Sequence, residues 1–329
     1  MSGNLNNTNW TNLEPNSLTF TLGSSYILAI SVLGIIFNAF VLMVFRFHEK
    51  ACTVAEIYLS NLSGADFVMV CCLPFWADYV GKGFNWAFSE SLCKVVTAII
   101  KMNTFCSIYF LVLVSIDRYV ALVHPLSHES IRRPFYAKLA CAVVWVLGLV
   151  FALPAFIYRK LLDFKCTLDF DKDQYLVYEL TTIIFSFIIP FFIIFLCTLK
   201  IIQALRNRPK GHGTERKATT LILVVLLAFL ICWGPFQLSR ILDLFERLQI
   251  LKHGILGNHK ILVCKQITVY LAFFNSVLNP ILYVAIGKNF QKKAKELFMS
   301  RKYKKTRRSS IRFSRTRLTS VESMRRSVK

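Results

Sequence analysis

The chain has 329 residues, 55% of them hydrophobic and only 18% charged, with a formal net charge of +22. A soluble protein of this length is not so apolar, so membrane residence is the default reading. The basic residues crowd into segments that border the apolar runs. Anionic lipid head groups and an intracellular partner are therefore the expected counter-charges, and nucleic acid is not.

In chain order, seven uncharged or nearly uncharged stretches approach the ~20 residues that a helix needs to cross hydrocarbon. They are roughly 23 to 45, 56 to 79, 95 to 116, 137 to 158, 179 to 199, 218 to 239 and 263 to 286. Stretches such as Leu180 to Leu199 and Ala218 to Ser239 lack any polar face, which disfavours burial in a soluble core. The expected fold is an all-α membrane protein, a seven-transmembrane helix bundle with a short amphipathic eighth helix. Its parts are an extracellular N-terminus (1–22), the seven-helix domain (23–286), the eighth helix (287–299) and a basic, Ser/Thr-rich cytoplasmic tail (300–329).

Orientation follows the lysines and arginines. The first is Arg46, whereas 200–217 and the tail are dense with them, so the N-terminus is expected outside and the tail inside. An odd number of crossings satisfies this. No basic segment precedes an early apolar run, so no cleaved signal peptide is expected. Asn6 and Asn9 head glycosylation acceptor triplets on the outer side. Asn61 fits the same pattern but falls inside the second helix.

The segment 206–217 contains Pro209, Gly211 and Gly213 and is expected to be a flexible inner loop. After the seventh helix, Phe290, Ala294, Leu297 and Phe298 recur at helical spacing with lysines between them, the pattern of a helix lying on the membrane surface. The remaining tail is expected to be disordered, with Ser309 and Ser310 as phosphorylation sites that would reverse its local charge. No repeat relates the two halves, which weakens a transporter built on inverted repeats.

Of ten cysteines, six lie within helices and Cys52 is on the inner side, leaving Cys93, Cys166 and Cys264 outside. A bridge between Cys93, at the start of the third helix, and Cys166, in the second outer loop, would pin that loop over the bundle mouth.

A charge within the bilayer is a functional hypothesis by default. Asp66 is the deep one, and with Asn38, Ser107, Asn275 and Asn279 on neighbouring helices it is expected to hold a water network or an allosteric sodium ion. No other cofactor and no metal site is expected. Pro74, Pro154, Pro190, Pro235 and Pro280 each remove a backbone hydrogen bond at mid-membrane and permit a kink. Lys101 lies eight residues inside Cys93, about 12 Å along a helix, the depth of a pocket floor.

"SIDRYVALVHP" (115–125), "CWGPF" (232–236), "NPILY" (279–283), Trp145 and the Cys93–Cys166 pair together resemble the rhodopsin-like G-protein-coupled receptors. The resemblance implies that Arg118, between Asp117 and Tyr119, locks the inner face and then engages a heterotrimeric G protein. It further implies that Trp233 above Pro235 senses ligand and that Tyr283 beside Pro280 rearranges on activation. Arrestin and receptor kinases are the further partners it implies. These tail residues lack cysteine, so the palmitoyl anchor common in that family is not expected.

"CTVAEIYLSNLSGAD" (52–66), "LPFWA" (73–77), "SLCKVVTAIIKMN" (91–103) and "ERKATTLILVVLLAFLICWGPFQ" (215–237) resemble the bradykinin (kinin) receptors, with the angiotensin receptors next. In the kinin receptors a lysine resembling Lys101 marks the first subtype, which binds kinins lacking the C-terminal arginine. An ammonium there would pair with the free carboxylate and repel an arginine side chain. Asp243 matches an acid that receives the peptide's positive charge. The second acid, expected near Leu262, is missing. Arg240, three residues before Asp243, is expected to neutralise it. Trp76, Trp86, Phe236, Gln266 and Phe273 are expected to wall the pocket, and Asp169, Asp171, Asp173 and Glu179 to steer a basic peptide.

The resulting expectation is a plasma-membrane receptor for kinin peptides, first-subtype-like, favouring the arginine-less form and signalling through a phospholipase-C-linked G protein. The alternatives are a subtype 2-like bradykinin receptor and an angiotensin-like or other peptide receptor. No lysine interrupts Gln266 to Ile286, which excludes an opsin, and no nucleophile, metal-ligand set or phosphate loop points to an enzyme.

Overall fold

A computed structural model of the protein describes residues 17–48, 51–124, 133–206, 213–248, 259–286 and 290–299. Asn6, Asn9, Ser309 and Ser310 lie outside the described residues. The helices are α1 (Ser17–Phe47), α2 (Val54–Gly81), α3 (Glu90–Val123), α4 (Pro134–Ile157), α5 (Lys172–Ile183), α6 (Ile189–Arg206), α7 (Gly213–Arg247) and α8 (His259–Ile286), followed by α9 over residues 290–299. A π-helical turn, Ile184–Ile188, joins α5 to α6 into one fifth crossing. Among the described residues, seven helices are long and apolar enough to cross a membrane.

The helices overrun the apolar stretches because their ends are capped by polar residues. Thr53 accepts from the backbone N–H of Glu56 while the Glu56 carboxylate accepts from the backbone N–H of Thr53, a capping box that opens α2. Ser89 caps α3 by accepting from Leu92 N–H, and Asp171 caps α5 by accepting from Gln174 N–H. The expected flexible loop gives way to helix from Gly213 onward, since Glu215, Arg216, Lys217 and Ala218 are strong helix formers. Residues 207–212 lie outside the described residues.

Among the described residues, one element departs from an all-helical bundle. Arg159–Leu162 (β1) and Lys165–Leu168 (β2) pair antiparallel, with Arg159 opposite Leu168 and Leu161 opposite Cys166. Strands of four residues carry too few alternations to register as a period in the sequence. The turn between them places Asp163 and Phe164 at φ 47° and 58°, the left-handed conformation that a two-residue hairpin turn demands. Within the ribbon, the carboxylate of Asp169 accepts from Lys160 at 2.7 Å and holds that ammonium above the ordinary lysine range.

α3 is the central post, packing against α2, α4, α6 and the ribbon. Its crossing with α4 is close because Gly148 has no side chain: a Cβ there would stand 2.5 Å from the sulfur of Cys106. Trp145 on α4 donates its indole N–H to Asn61 on α2 at 3.0 Å. Leu139, Val143, Val146 and Val150 leave an exposed apolar stripe on α4, as a lipid-facing helix surface requires. Opposite the ribbon, α9 buries Phe290 and Leu297 and sets Phe290 against Phe40 and Phe45, at centroid distances of 5.9 and 5.5 Å.

Candidate functional site

At the ribbon end of the bundle, the Cys93–Cys166 disulfide ties β2 to the first turns of α3. Below it, the Lys101 ammonium lies 4.7 Å from the ring centroid of Tyr178 on α5, a cation–π contact. Arg240 on α7 is paired with Glu179 on α5, and Asp243 on α7 is paired with Lys265 on α8. Arg159 on β1 donates to the carbonyl of Cys166 at 2.9 Å, and its Nε is buried without a hydrogen-bond partner. Lys101 and Arg240 thus meet α5 at the adjacent residues Tyr178 and Glu179.

The expected neutralisation of Asp243 by Arg240 does not occur. Helix side chains lean toward the helix N-terminus, and the Arg240 guanidinium follows that lean back to the Phe236 ring, 6.0 Å away. From there it meets α5 rather than Asp243, which lies one turn in the other direction. Glu179 is likewise not a steering acid at the mouth, being buried against Arg240. Asp171 and Asp173 do face open space: with Arg159, Phe170, Tyr175 and Leu244 they line a cavity of about 670 Å³ beside the ribbon.

The expected aromatic wall separates into two groups. Phe236 stands next to Trp233, at a centroid distance of 5.9 Å, within the site. Trp86 is 1% exposed; its backbone N–H donates to the carbonyl of Phe164 and its indole to Ser89. It therefore braces the ribbon, and burial removes it from direct contact with a ligand. Phe273 is buried in a cluster with Ile27, Met69 and Leu73, between α1, α2 and α8, and is packing of the same kind. Trp76 is half-buried against Tyr79 at 5.2 Å. Gln266 donates to the hydroxyl of Tyr270 at 2.7 Å.

At mid-bundle the fully buried Asp66 gathers four donors. Its Oδ1 accepts from Asn103, Ser107 and Ser276 at 3.0, 3.1 and 2.9 Å, and its Oδ2 from Asn279 at 3.1 Å. Ser107 and Asn279 are where the sequence reading put them. Asn103 and Ser276 were missed, although both belong to polar interruptions of apolar helices. Asn38 turns instead to the carbonyls of Gly34 and Ser276. Asn275 points neither polar atom at Asp66, and both are buried without hydrogen-bond partners.

Toward the α9 end, Trp233 Nε1 and the Tyr283 hydroxyl are also buried without partners, which leaves these groups unsatisfied in this packing. Pro235 and Pro280 lie inside α7 and α8. Asp117 pairs with the adjacent Arg118 at 2.7 Å, and the Tyr119 hydroxyl bonds His124 at 3.0 Å.

The sequence pattern of the family described as 7 transmembrane receptor (rhodopsin family) matches residues 37–283. The B2 bradykinin receptor of Homo sapiens is 42% identical over 84% of this chain and 74% of its own length. That of Oryctolagus cuniculus is 41% identical over 81% of the chain and 76% of its own length. The B1 bradykinin receptor of Macaca mulatta is 34% identical over 83% of the chain and 81% of its own length. The greater similarity to the B2 relatives runs against the first-subtype expectation drawn from Lys101. The chain belongs to the rhodopsin family of seven-transmembrane receptors, and within it resembles the bradykinin receptors.

Proposed function

We propose that the protein is a plasma-membrane, G-protein-coupled receptor for a bradykinin-type (kinin) peptide, with the ribbon end outside and α9 inside. The observation that carries this reading is the meeting of Lys101 and Arg240 with the adjacent residues Tyr178 and Glu179 on α5, with a cavity lined by Asp171, Asp173, Arg159 and Lys172 at the start of the same helix. Cations at depth receive a peptide's carboxylate and acids at the rim its basic residues. At the opposite end, Arg118 is the group that engages a heterotrimeric G protein of the phospholipase-C-linked class. Arrestin and receptor kinases act on the basic tail at Ser309 and Ser310.

Asp66 and the hydroxyls of Ser107 and Ser276 make an all-oxygen set suited to a hard cation such as sodium. Sodium there would favour one packing of α2, α3 and α8 over another.

Overall relatedness favours a second-subtype-like receptor that takes the full-length kinin. Lys101 favours a second reading, preference for the arginine-less form, because an ammonium at that depth attracts a free carboxylate and repels a terminal arginine. Competition binding with full-length kinin, arginine-less kinin and angiotensin peptides tests both. Displacement by kinins alone supports the receptor reading, and displacement by angiotensin alone overturns it. Lys101→Ser separates the two kinin forms: it lowers the affinity ratio of arginine-less to full-length peptide about tenfold or more if the second reading holds, and leaves that ratio unchanged if it does not.

A further inference from the structure

Two ion pairs clasp α7 at the ribbon end, Arg240–Glu179 toward α5 and Asp243–Lys265 toward α8. They are not equivalent. Asp243 is 38% exposed, whereas the Glu179 and Arg240 side chains are 11% and 12% exposed. Glu179 also follows Tyr178, whose ring the Lys101 ammonium faces at 4.7 Å. A pair so little exposed is partly desolvated, and such a pair is strong only while every member has a partner.

We propose that Glu179 is an internal stand-in for the ligand's C-terminal carboxylate, holding Arg240 in the unliganded receptor until an entering peptide displaces it. The inference rests on the peptide-receptor reading and deepens it. The exchange replaces one carboxylate on Arg240 by another, so that pair loses no charge. The peptide's end brings a second negative charge, which Lys101, beside Tyr178, is placed to receive. Arg240 follows Trp233 by seven residues, about two helical turns, so release of Glu179 frees the same proline-containing helix that carries the buried indole. A closed clasp therefore lowers the apparent affinity for any carboxylate-ended peptide by the fraction of receptor in which it is open.

The test uses the whole receptor in membranes, with arginine-less kinin as the free acid and as its C-terminal amide. Glu179→Gln keeps the shape and removes the charge; Glu179→Asp keeps the charge and withdraws it from Arg240. Both are expected to raise affinity for the free acid about tenfold and to leave the amide unchanged. Equal gains for acid and amide, or a loss for both, overturn the proposal. A double-mutant cycle of Glu179→Gln and Arg240→Gln on the melting temperature of the unliganded receptor reads the clasp separately, and absence of coupling also overturns it. Wild-type receptor that binds neither form, nor full-length kinin, sinks the peptide-receptor reading itself, an outcome distinct from the others.

Discussion

The hydroxyl of Tyr109 on α3 donates to the carbonyl oxygen of Phe185 in the fifth crossing at 2.9 Å. That carbonyl is available because of Pro190. In the π turn the N–H of Ile189 bonds the carbonyl of Ile184; the next N–H in that ladder would serve Phe185, and proline has none. Tyr109→Phe removes the substitute donor within a bilayer that offers no water. The expected cost is about 1–3 kcal/mol, read as a lower melting temperature of the purified receptor, with the fifth crossing showing the greatest gain in hydrogen exchange.

Phe164 occupies the second central position of the β1–β2 turn at φ 58°, with its side chain 71% exposed. A left-handed conformation costs a side-chain-bearing residue about 1–2 kcal/mol, and glycine almost nothing. Little packing is lost on truncation, and the carbonyl that accepts from Trp86 remains. Phe164→Gly is therefore expected to raise thermal stability by about 1 kcal/mol. A drop in melting temperature would show that the ring has a contact of its own.

Glu56 serves two masters at the α9 end: its Oε2 accepts from Thr53 N–H and from Lys293 Nζ, each at 2.8 Å. The Lys293 and Glu56 side chains are 12% and 11% exposed, so the pair is partly desolvated. Lys293→Met should release α9 while keeping the cap, and Glu56→Ala should release α9 and fray the first turn of α2 as well. Hydrogen exchange over residues 290–299 is expected to rise in both variants, and over residues 54–58 only in the second.

Asp66→Asn removes the charge that a bound sodium would require and keeps a side chain able to bond Ser107 and Asn279. In wild type, replacing choline by sodium in the buffer is expected to weaken agonist binding. The variant should lose that dependence. A sodium effect of equal size in both would place the ion elsewhere.

The helices and the Cys93–Cys166 bridge were legible because hydrocarbon thickness imposes a length on apolar runs, and because so few cysteines fall outside them. Asp66 was legible for a related reason: a lone carboxylate among leucines stands out. Its partners Asn103 and Ser276 were harder to find, since which polar residue faces inward depends on helix rotation. The ribbon escaped notice because four-residue strands leave no period. The pairing of Arg240 with Glu179 rather than Asp243 could not be read either, because sequence neighbours on one helix advertise themselves and a partner 61 positions away does not. Arg159 and Tyr178 were overlooked for the same reason, as ordinary residues of a loop and a helix start.

The π turn also sets the rotational phase of everything beyond it. One surplus residue over Ile184–Ile188 turns α5 by about 100° relative to an unbroken α-helix extended from α6. Glu179 inherits that rotation and so faces α7. A chain one residue shorter in this stretch would carry the same carboxylate around toward the lipid and strip Arg240 of its partner, with no substitution at either position.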